Sequence, residues 1–152
     1  MSQHTDNYST VLLTPDSPES DRVTIDDIAS FLYVHLDEYG DQKEDILKCI
    51  RYALNPEKGG FALAGMDGDE IIGAVVFNRT GMSGYIPENI LVYIAMHRDY
   101  RGKGIGKWLM KHAIDNAEGD IALHVEHNNP AKFLYEKLGF TNPYLEMRLK
   151  RS

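Results

Sequence analysis

The sequence predicts a single mixed α/β domain of the α+β type, built around a partly antiparallel sheet. The chain has 152 residues, 43% of them hydrophobic, which suffices for one sizeable core and is too little for two domains. The hydrophobic period changes from alternating to helical and back, in the order strand, two helices, three strands, helix, strand, helix, strand. We therefore expect residues 1–152 to fold as one unit.

The N-terminal third is predicted to contain a short strand and two helices. Residues 1–9 are polar and are expected to form a disordered tail, and Thr10–Leu13 forms the first strand. Thr24 is the predicted N-cap of a helix whose apolar residues recur at helical spacing. Asp41 is the predicted N-cap of a second helix, which ends before Pro56.

The middle of the chain has the composition of strands. Residues 60–78 are two β-rich runs around Asp67-Gly68-Asp69, a strong hairpin signal, and residues 88–96 are a third run rich in β-branched and aromatic side chains. The loop Arg79–Asn89 is long for a strand connection, and its role as a lid or a subunit contact stays open.

The C-terminal third returns to a helical period after Gly104. Residues 120–126 are predicted to form a buried strand, and residues 128–140 contain a helix that ends at Gly139 in the left-handed conformation. Residues 144–149 ("YLEMRL") are predicted to be the last strand.

Composition restricts the function classes. The chain carries 23 acidic against 16 basic residues, which argues against nucleic-acid binding and fits a neutral or cationic partner. Its apolar runs are shorter than the roughly 20 residues of a membrane span, and no basic-then-apolar leader is present, so neither membrane insertion nor export is expected. The lone Cys49 has no partner for a disulfide or a metal knuckle, which indicates a cytoplasmic protein without a bound metal.

A basic, glycine-rich turn stands out in this acidic chain. Between Arg98 and Lys111 the local charge is about +4, since five cations accompany only Asp99. The glycines let a ligand approach the backbone, and the helix that follows directs unpaired N–H groups and the positive end of its dipole at the turn. These features predict a pyrophosphate-binding turn. The glycines are Gly102, Gly104 and Gly106.

Three other phosphate-binding motifs do not fit this turn. A Walker loop requires Ser or Thr after Gly-Lys, whereas Lys107 is followed by Trp108. The dinucleotide pattern Gly-x-Gly-x-x-Gly fails from Gly102, where its last position is Lys107, and from Gly104, where it is Leu109. The kinase glycine loop runs between two strands, whereas this turn opens a helix.

The segment 101–106 ("RGKGIG") instead matches the pattern Arg or Gln, any two residues, Gly, any residue, Gly or Ala. With the strand "ILVYIAM" before it and "NNPAKFLYEKLGF" after it, the chain resembles the GNAT superfamily of N-acetyltransferases over about Glu88–Phe140. The N-terminal half agrees with that family only in element order. The resemblance implies a central, mostly antiparallel twisted sheet of about six to seven strands flanked by about four helices.

The resemblance also implies acetyl-CoA as co-substrate and names the residues that hold it. The pantetheine arm would lie between two splayed strands and pair with the main chain of the first. The turn amides would hold the pyrophosphate, with Arg101 shaping the loop, Lys103 or Lys107 supplying charge, and the Asn128 amide binding the arm. The implied cofactor-binding residues are Ile94, Ala95, Met96, Arg101, Gly102, Lys103, Gly104, Ile105, Gly106, Lys107 and Asn128.

For catalysis, Tyr135 matches the family tyrosine that protonates the departing CoA thiolate. The chemistry is sound, because a tyrosine hydroxyl is a proton donor at neutral pH. Members that acetylate ribosomal-protein N-termini carry a glutamate where this chain has Leu123, so that narrower assignment does not follow. A base is needed because an amine with a pKa near 10 is mostly protonated at pH 7. Glu88 is the preferred base, and the alternatives left open are His124, Glu126, Tyr93 and a water relay.

The acceptor is expected to be a primary amine, on a small molecule or a protein. Residues 35–45 would favour a cationic amine because they carry several carboxylates, those of Asp37, Glu38, Asp41, Glu44 and Asp45. Two other functions stay open: a non-catalytic acyl-CoA-binding or regulatory module, and a nucleotide-phosphate-binding protein. The sequence is compatible with a monomer or a homodimer.

Overall fold

The computed structural model describes residues 8–151, in which five strands form one sheet in the order β1-β2-β3-β4-β5. The strands are β1 Tyr8–Leu13, β2 Gly60–Asp67, β3 Glu70–Arg79, β4 Asn89–Met96 and β5 Ile121–Leu123. The neighbours β1 to β4 pair antiparallel, and β4 and β5 pair parallel. The mixed, mostly antiparallel sheet is confirmed, with fewer strands than expected.

Four helices accompany the sheet, as predicted. They are α1 Ile25–His35, α2 Lys43–Ala53, α3 Ile105–Asn116 and α4 Ala131–Lys137, and two short 3-10 turns are Asp37–Tyr39 and Arg98–Tyr100. Thr24 caps α1 in a capping box with Asp27, which confirms the predicted helix start. None of the helices between residues 8 and 151 has the length and apolar character that crossing a bilayer requires.

Apolar cores lie on both faces of the sheet, because side chains of a strand alternate between faces. On β3, Ala74 and Val76 pack in the core formed with α1 and α2, whereas Val75 and Phe77 pack in the core with α3 and α4. Burial on both faces explains why β3 is a nearly continuous apolar run and not an alternating one.

Both chain ends differ from the predictions. The first strand begins at Tyr8, so the last two residues of the predicted tail 1–9 belong to β1, and its other residues lie outside the described range. Residues 144–149 are not a strand, and their large apolar side chains are exposed, with Leu145 85% and Met147 88% accessible. Alternating apolar and polar residues determine which side chains would share a face of a strand, but they do not provide a neighbouring strand for it to pair with. Within the described residues, 144–149 pairs with no strand.

The start of β4 is held to the turn between α3 and β5 by hydrogen bonds of the buried Asn89 and of Glu88. Asn89 is 2% exposed, and its Nδ2 donates to the carbonyls of Glu118 at 2.7 Å and Asp120 at 3.2 Å. The backbone N–H of Asp120 donates to Glu88 Oε1 at 2.8 Å. These bonds fix where β5 enters the sheet beside β4.

Replacing Asn89 by Ala is therefore expected to lower the free energy of unfolding by about 1–3 kcal/mol, because the carbonyls lose a buried donor. Urea denaturation measures this loss. Asn116→Ala is the matched control, since its exposed amide donates to the carbonyl of His112 at 2.8 Å within its own helix, and it is expected to cost less. Equal losses in the two variants would contradict the assigned role of Asn89.

Candidate active site

The sheet opens between β4 and β5 at a β-bulge. The register of β3 against β4 shifts between Val76, which pairs with Tyr93, and Phe77, which pairs with Leu91, so Val92 is the extra residue. The pairing of β5 with β4 ends at Leu91. Beyond that point, within the described residues, the β5-facing edge of β4 has no strand partner.

The predicted cofactor strand lies on this open edge. Ala95 is buried in the core with α1 and α2, whereas Ile94 and Met96 pack toward α3 and α4. Their backbones pair with β3 on one side, and on the other side no described strand pairs with them; the Met96 carbonyl there accepts from Arg101 Nε at 3.1 Å. An extended amide-containing ligand can add to such an edge by main-chain hydrogen bonds.

The glycine turn follows β4 at the end of the opening. Gly102 and Gly104 both have φ of 79°, in the left-handed region, and an added Cβ at either would meet no atom within 4 Å. Glycine is therefore favoured at both positions by the left-handed backbone conformation, and the absence of a side chain leaves open space beside the turn. Gly104 is the N-cap of α3 and supplies no side-chain cap, so the amides of the first helical turn receive no hydrogen bond from a capping side chain.

The exposed Arg101 makes intramolecular hydrogen bonds with each nitrogen of its guanidinium. Its Nε donates to the carbonyl of Met96 at 3.1 Å, one terminal nitrogen donates to that of His35 at 2.8 Å, and the other contacts Asp37 Oδ2 at 3.1 Å. Arg101 therefore ties the turn to the end of β4 and to the end of α1. The exposed ammonium group of Lys103 lies 5.5 Å from the centre of the Tyr100 ring, beside the turn.

Tyr135 lies on α4 and is 7% exposed, in the same core as Leu91 and Leu109. Its ring packs edge-on against Phe140 with a centroid distance of 5.9 Å. Burial raises the pKa of Tyr135 to about 12. The phenol is therefore protonated at neutral pH, and its hydroxyl makes no hydrogen bond to the described residues, which leaves it free to donate.

The candidate bases lie at the start of β4 and in the segment after β5. Glu88 precedes β4, where β4 and β5 still run side by side, and the hydrogen bond from the Asp120 backbone lowers the pKa of its carboxyl. His124 and Glu126 are exposed in the segment after β5, and the side chain of Asn128 is exposed in the same segment. The assignment of Glu88 as base stays a prediction.

Sequence reasoning missed the contacts of the segment between α1 and α2. Asp41 does not cap α2, because Gln42 is the N-cap; its Oδ2 instead accepts a 2.5 Å hydrogen bond from Tyr93 Oη on β4. Burial, together with this hydrogen bond, raises the pKa of Tyr93 above its ordinary value. The run of acidic residues at 35–45 was the available signal, but it does not identify which carboxylate meets which partner.

His35 ends α1 next to these contacts. Its ring stacks on Phe31 and on His97, with centroid distances of 4.5 Å in both pairs, and its buried Nδ1 has no hydrogen-bond partner among the described residues. Burial lowers the pKa of His35, and the nearby charges of His97, Arg98 and Arg101 lower it further, against an opposing effect of Asp37.

The unfolded chain therefore binds a proton at His35 at a higher pH than the native protein, so this residue makes stability fall as pH drops through 6.5 toward its lowered pKa. His35→Phe retains the stacked ring without the titration. As pH falls from about 7.5 to about 5.5, we expect the melting temperature of the parent to fall more than that of the variant, so that the difference between them increases in favour of the variant. Scanning calorimetry measures both curves, and parallel curves would contradict the assignment.

Comparison with known proteins identifies the class of this site. Residues 21–140 match the model of the acetyltransferase (GNAT) family. The match covers most of the chain and includes the opening, the glycine turn and Tyr135. The chain therefore belongs to the GNAT family, whose members use acetyl-CoA as co-substrate.

Individual relatives agree with this class. The chain is 37% identical over 54 residues to the cysteine-rich protein 2-binding protein of Mus musculus, which is 35% of this chain and 7% of that protein. It is 31% identical over 85 residues to N-alpha-acetyltransferase 30 of Schizosaccharomyces pombe, 53% of this chain and 57% of the relative. The matches thus span less than two thirds of either relative.

Among solved structures, the ribosomal-protein-alanine N-acetyltransferase of Brucella melitensis biovar Abortus 2308 superposes with a TM-score of 0.63 at 19% identity, covering 95% of this chain and 99% of that one. At this identity the similarity establishes the fold alone.

Proposed function

We propose that this protein is an acetyl-CoA-dependent N-acetyltransferase that acetylates a primary amine by direct attack in a ternary complex. The observation that carries the proposal is the opening between β4 and β5 that begins at the Val92 bulge and leads to the glycine turn. An extended acyl carrier with a pyrophosphate needs both features, an unpaired strand edge and an anion-binding turn.

In the proposed complex, the edge of β4 at Ile94–Met96 pairs with the pantetheine arm and the amides of Gly102–Lys107 hold the pyrophosphate. The open space in front of Gly102 and Gly104 supports this fit, because a side chain at either position would project into it. Lys103 and Lys107 supply positive charge, and the exposed Asn128 supplies an amide for the arm.

The reaction joins the amine nitrogen to the thioester carbonyl carbon, and the carbon–sulfur bond breaks. Tyr135 donates its proton to the departing thiolate; its raised pKa keeps the hydroxyl protonated, and therefore in the donor form, at neutral pH. The proton lost by the amine goes to a base, for which Glu88 is the first candidate and His124, Glu126 or a water relay are the others. The product is an acetylated amine and free CoA.

The acceptor is a primary amine, and the carboxylates of residues 35–45 that are not engaged by Arg98, Arg101 or Tyr93, those of Glu38, Glu44 and Asp45, favour a cationic one. The name of one relative, an N-alpha-acetyltransferase, makes a protein N-terminus the first substrate class to screen, although Leu123 stands where the members that acetylate ribosomal-protein N-termini carry a glutamate. A small-molecule amine is the second class to screen. Release of the CoA thiol across both classes of amine tests the choice.

Ligand binding tests the cofactor. Acetyl-CoA and CoA, each at about 100 times its Kd, are expected to add roughly 2.7 kcal/mol to the stability of the folded protein and to raise its melting temperature by several degrees. ATP and NAD at the same concentrations are the controls. Equal stabilisation by ATP would contradict the proposal and favour a nucleotide-phosphate binder.

Turnover tests the proton donor. Tyr135→Phe is expected to lower kcat by roughly 10- to 100-fold or more while leaving the affinity for acetyl-CoA nearly unchanged, because only the O–H donor is removed. Tyr144→Phe makes the same chemical change at a tyrosine that is 85% exposed and is expected to have no effect. Acetyl-CoA binding without thiol release in the parent protein would instead indicate a non-catalytic acyl-CoA-binding module.

A further inference from the structure

The segment between α1 and α2, residues 36–42, contacts the elements around the opening, and we call it the connector. The Tyr39 hydroxyl donates to the carbonyl of Asn128 at 3.4 Å, on the β5 side. The Tyr93 hydroxyl donates to Asp41 at 2.5 Å, on the β4 side. Asp37 binds the residues around the glycine turn. The connector therefore spans the opening and touches both of its sides.

Asp37 is the most constrained residue of the connector. Its φ is 55°, and among residues 8–151 it is the one non-glycine residue in the left-handed region. Its two carboxylate oxygens accept from Arg98 and Arg101, each at 3.1 Å, and the hydrogen bond from Arg101 lowers the pKa of Asp37. A backbone conformation of this kind persists when surrounding contacts over-determine it.

The same two arginines bind the end of α1. Arg98 contacts the carbonyl of Val34 at 3.4 Å and Arg101 that of His35 at 2.8 Å, where cations also favour the negative end of the helix dipole. Through its Nε, Arg101 also holds the carbonyl of Met96. A single guanidinium thus joins the last residue of β4, the end of α1 and the connector.

We propose that Asp37 is a positioning residue that couples the glycine turn to the connector, so that filling the turn with CoA fixes the acceptor side of the opening. Arg101 immediately precedes Gly102, so a ligand held by the turn amides restrains the Arg101 backbone. The charge-assisted hydrogen bonds of Asp37 with Arg98 and Arg101 transmit that restraint to the connector, because such bonds hold only within a limited range of distances and angles. This inference rests on the proposed function, since it names the path between the two substrate sites.

Hydrogen exchange of the connector amides, with CoA as the probe, tests the coupling without requiring turnover. In the parent protein, saturating CoA is expected to slow exchange at residues 36–42 by about fivefold or more. Asp37→Asn keeps the side-chain shape and the tolerance for positive φ but removes the charge, and it is expected to abolish this protection while CoA affinity changes by less than about threefold.

Glu38→Gln is the matched control, because it removes one charge from the same connector and Glu38 forms no ion pair within residues 8–151. It is expected to keep the CoA-induced protection. Asp37→Gly serves as a second variant, since glycine relieves the positive φ and still deletes the carboxylate, and it is expected to behave like Asp37→Asn. Protection retained in both Asp37 variants, or lost equally in Glu38→Gln, would overturn the proposal.

Kinetics separate the coupling from the proposed activity. With an acetylated amine in hand, Asp37→Asn is expected to raise the amine KM by about fivefold or more, with a smaller effect on the acetyl-CoA KM and a smaller rise in Glu38→Gln. An equal rise in both KM values would overturn the positioning role. If no amine is acetylated but CoA-induced protection is present and lost in Asp37→Asn, the transferase proposal fails and the coupling of turn to connector is supported.

Discussion

One extra residue in β4 governs the geometry of the candidate site. Val92 is unpaired in the ladder with β3, and such a bulge bends a strand. β4 stays paired with β3 through Met96, whereas its pairing with β5 ends at Leu91, opposite Leu123. Beyond Leu91 no described strand pairs with this edge of β4, which leaves a gap beside it, and the Met96 carbonyl at the edge accepts from Arg101. The glycine turn, α4 with Tyr135 and the connector are all arranged around that gap.

The local features of the fold could be predicted because short-range chemistry determines them. The hairpin around Asp67-Gly68-Asp69 and the cap at Thr24 each follow from a few neighbouring residues, and both are present. The predicted strand at 144–149 and the predicted cap at Asp41 failed for the opposite reason. A strand forms only if another strand, remote in sequence, offers an edge to pair with, and 144–149 has none among the described residues. Asp41 accepts a hydrogen bond from the hydroxyl of Tyr93, which is remote in sequence, and not from the amides of α2.

The candidate site divides in the same way. The left-handed backbone of the turn could be predicted because it depends on local conformation, and glycine at positions 102 and 104 indicates that conformation directly; anion binding by the turn stays a prediction. The roles of the carboxylates could not be predicted from the sequence, because they depend on which hydrogen-bond donors the fold brings close to each one. Glu88 accepts a backbone hydrogen bond at the paired end of β4, and Asp37 accepts from two arginines about sixty residues away.

The ion pairs of Asp37 also reduce the positive charge that the turn offers to a ligand. Five cations between Arg98 and Lys111 gave the turn its basic character in the sequence, but both arginines are engaged with Asp37 and with carbonyls at the end of α1. The cations left for a phosphate are Lys103, Lys107 and Lys111, which are exposed and form no ion pair within residues 8–151. The two arginines therefore hold the turn against the connector, and the proposed anion site consists of the backbone amides of the turn together with these three lysines.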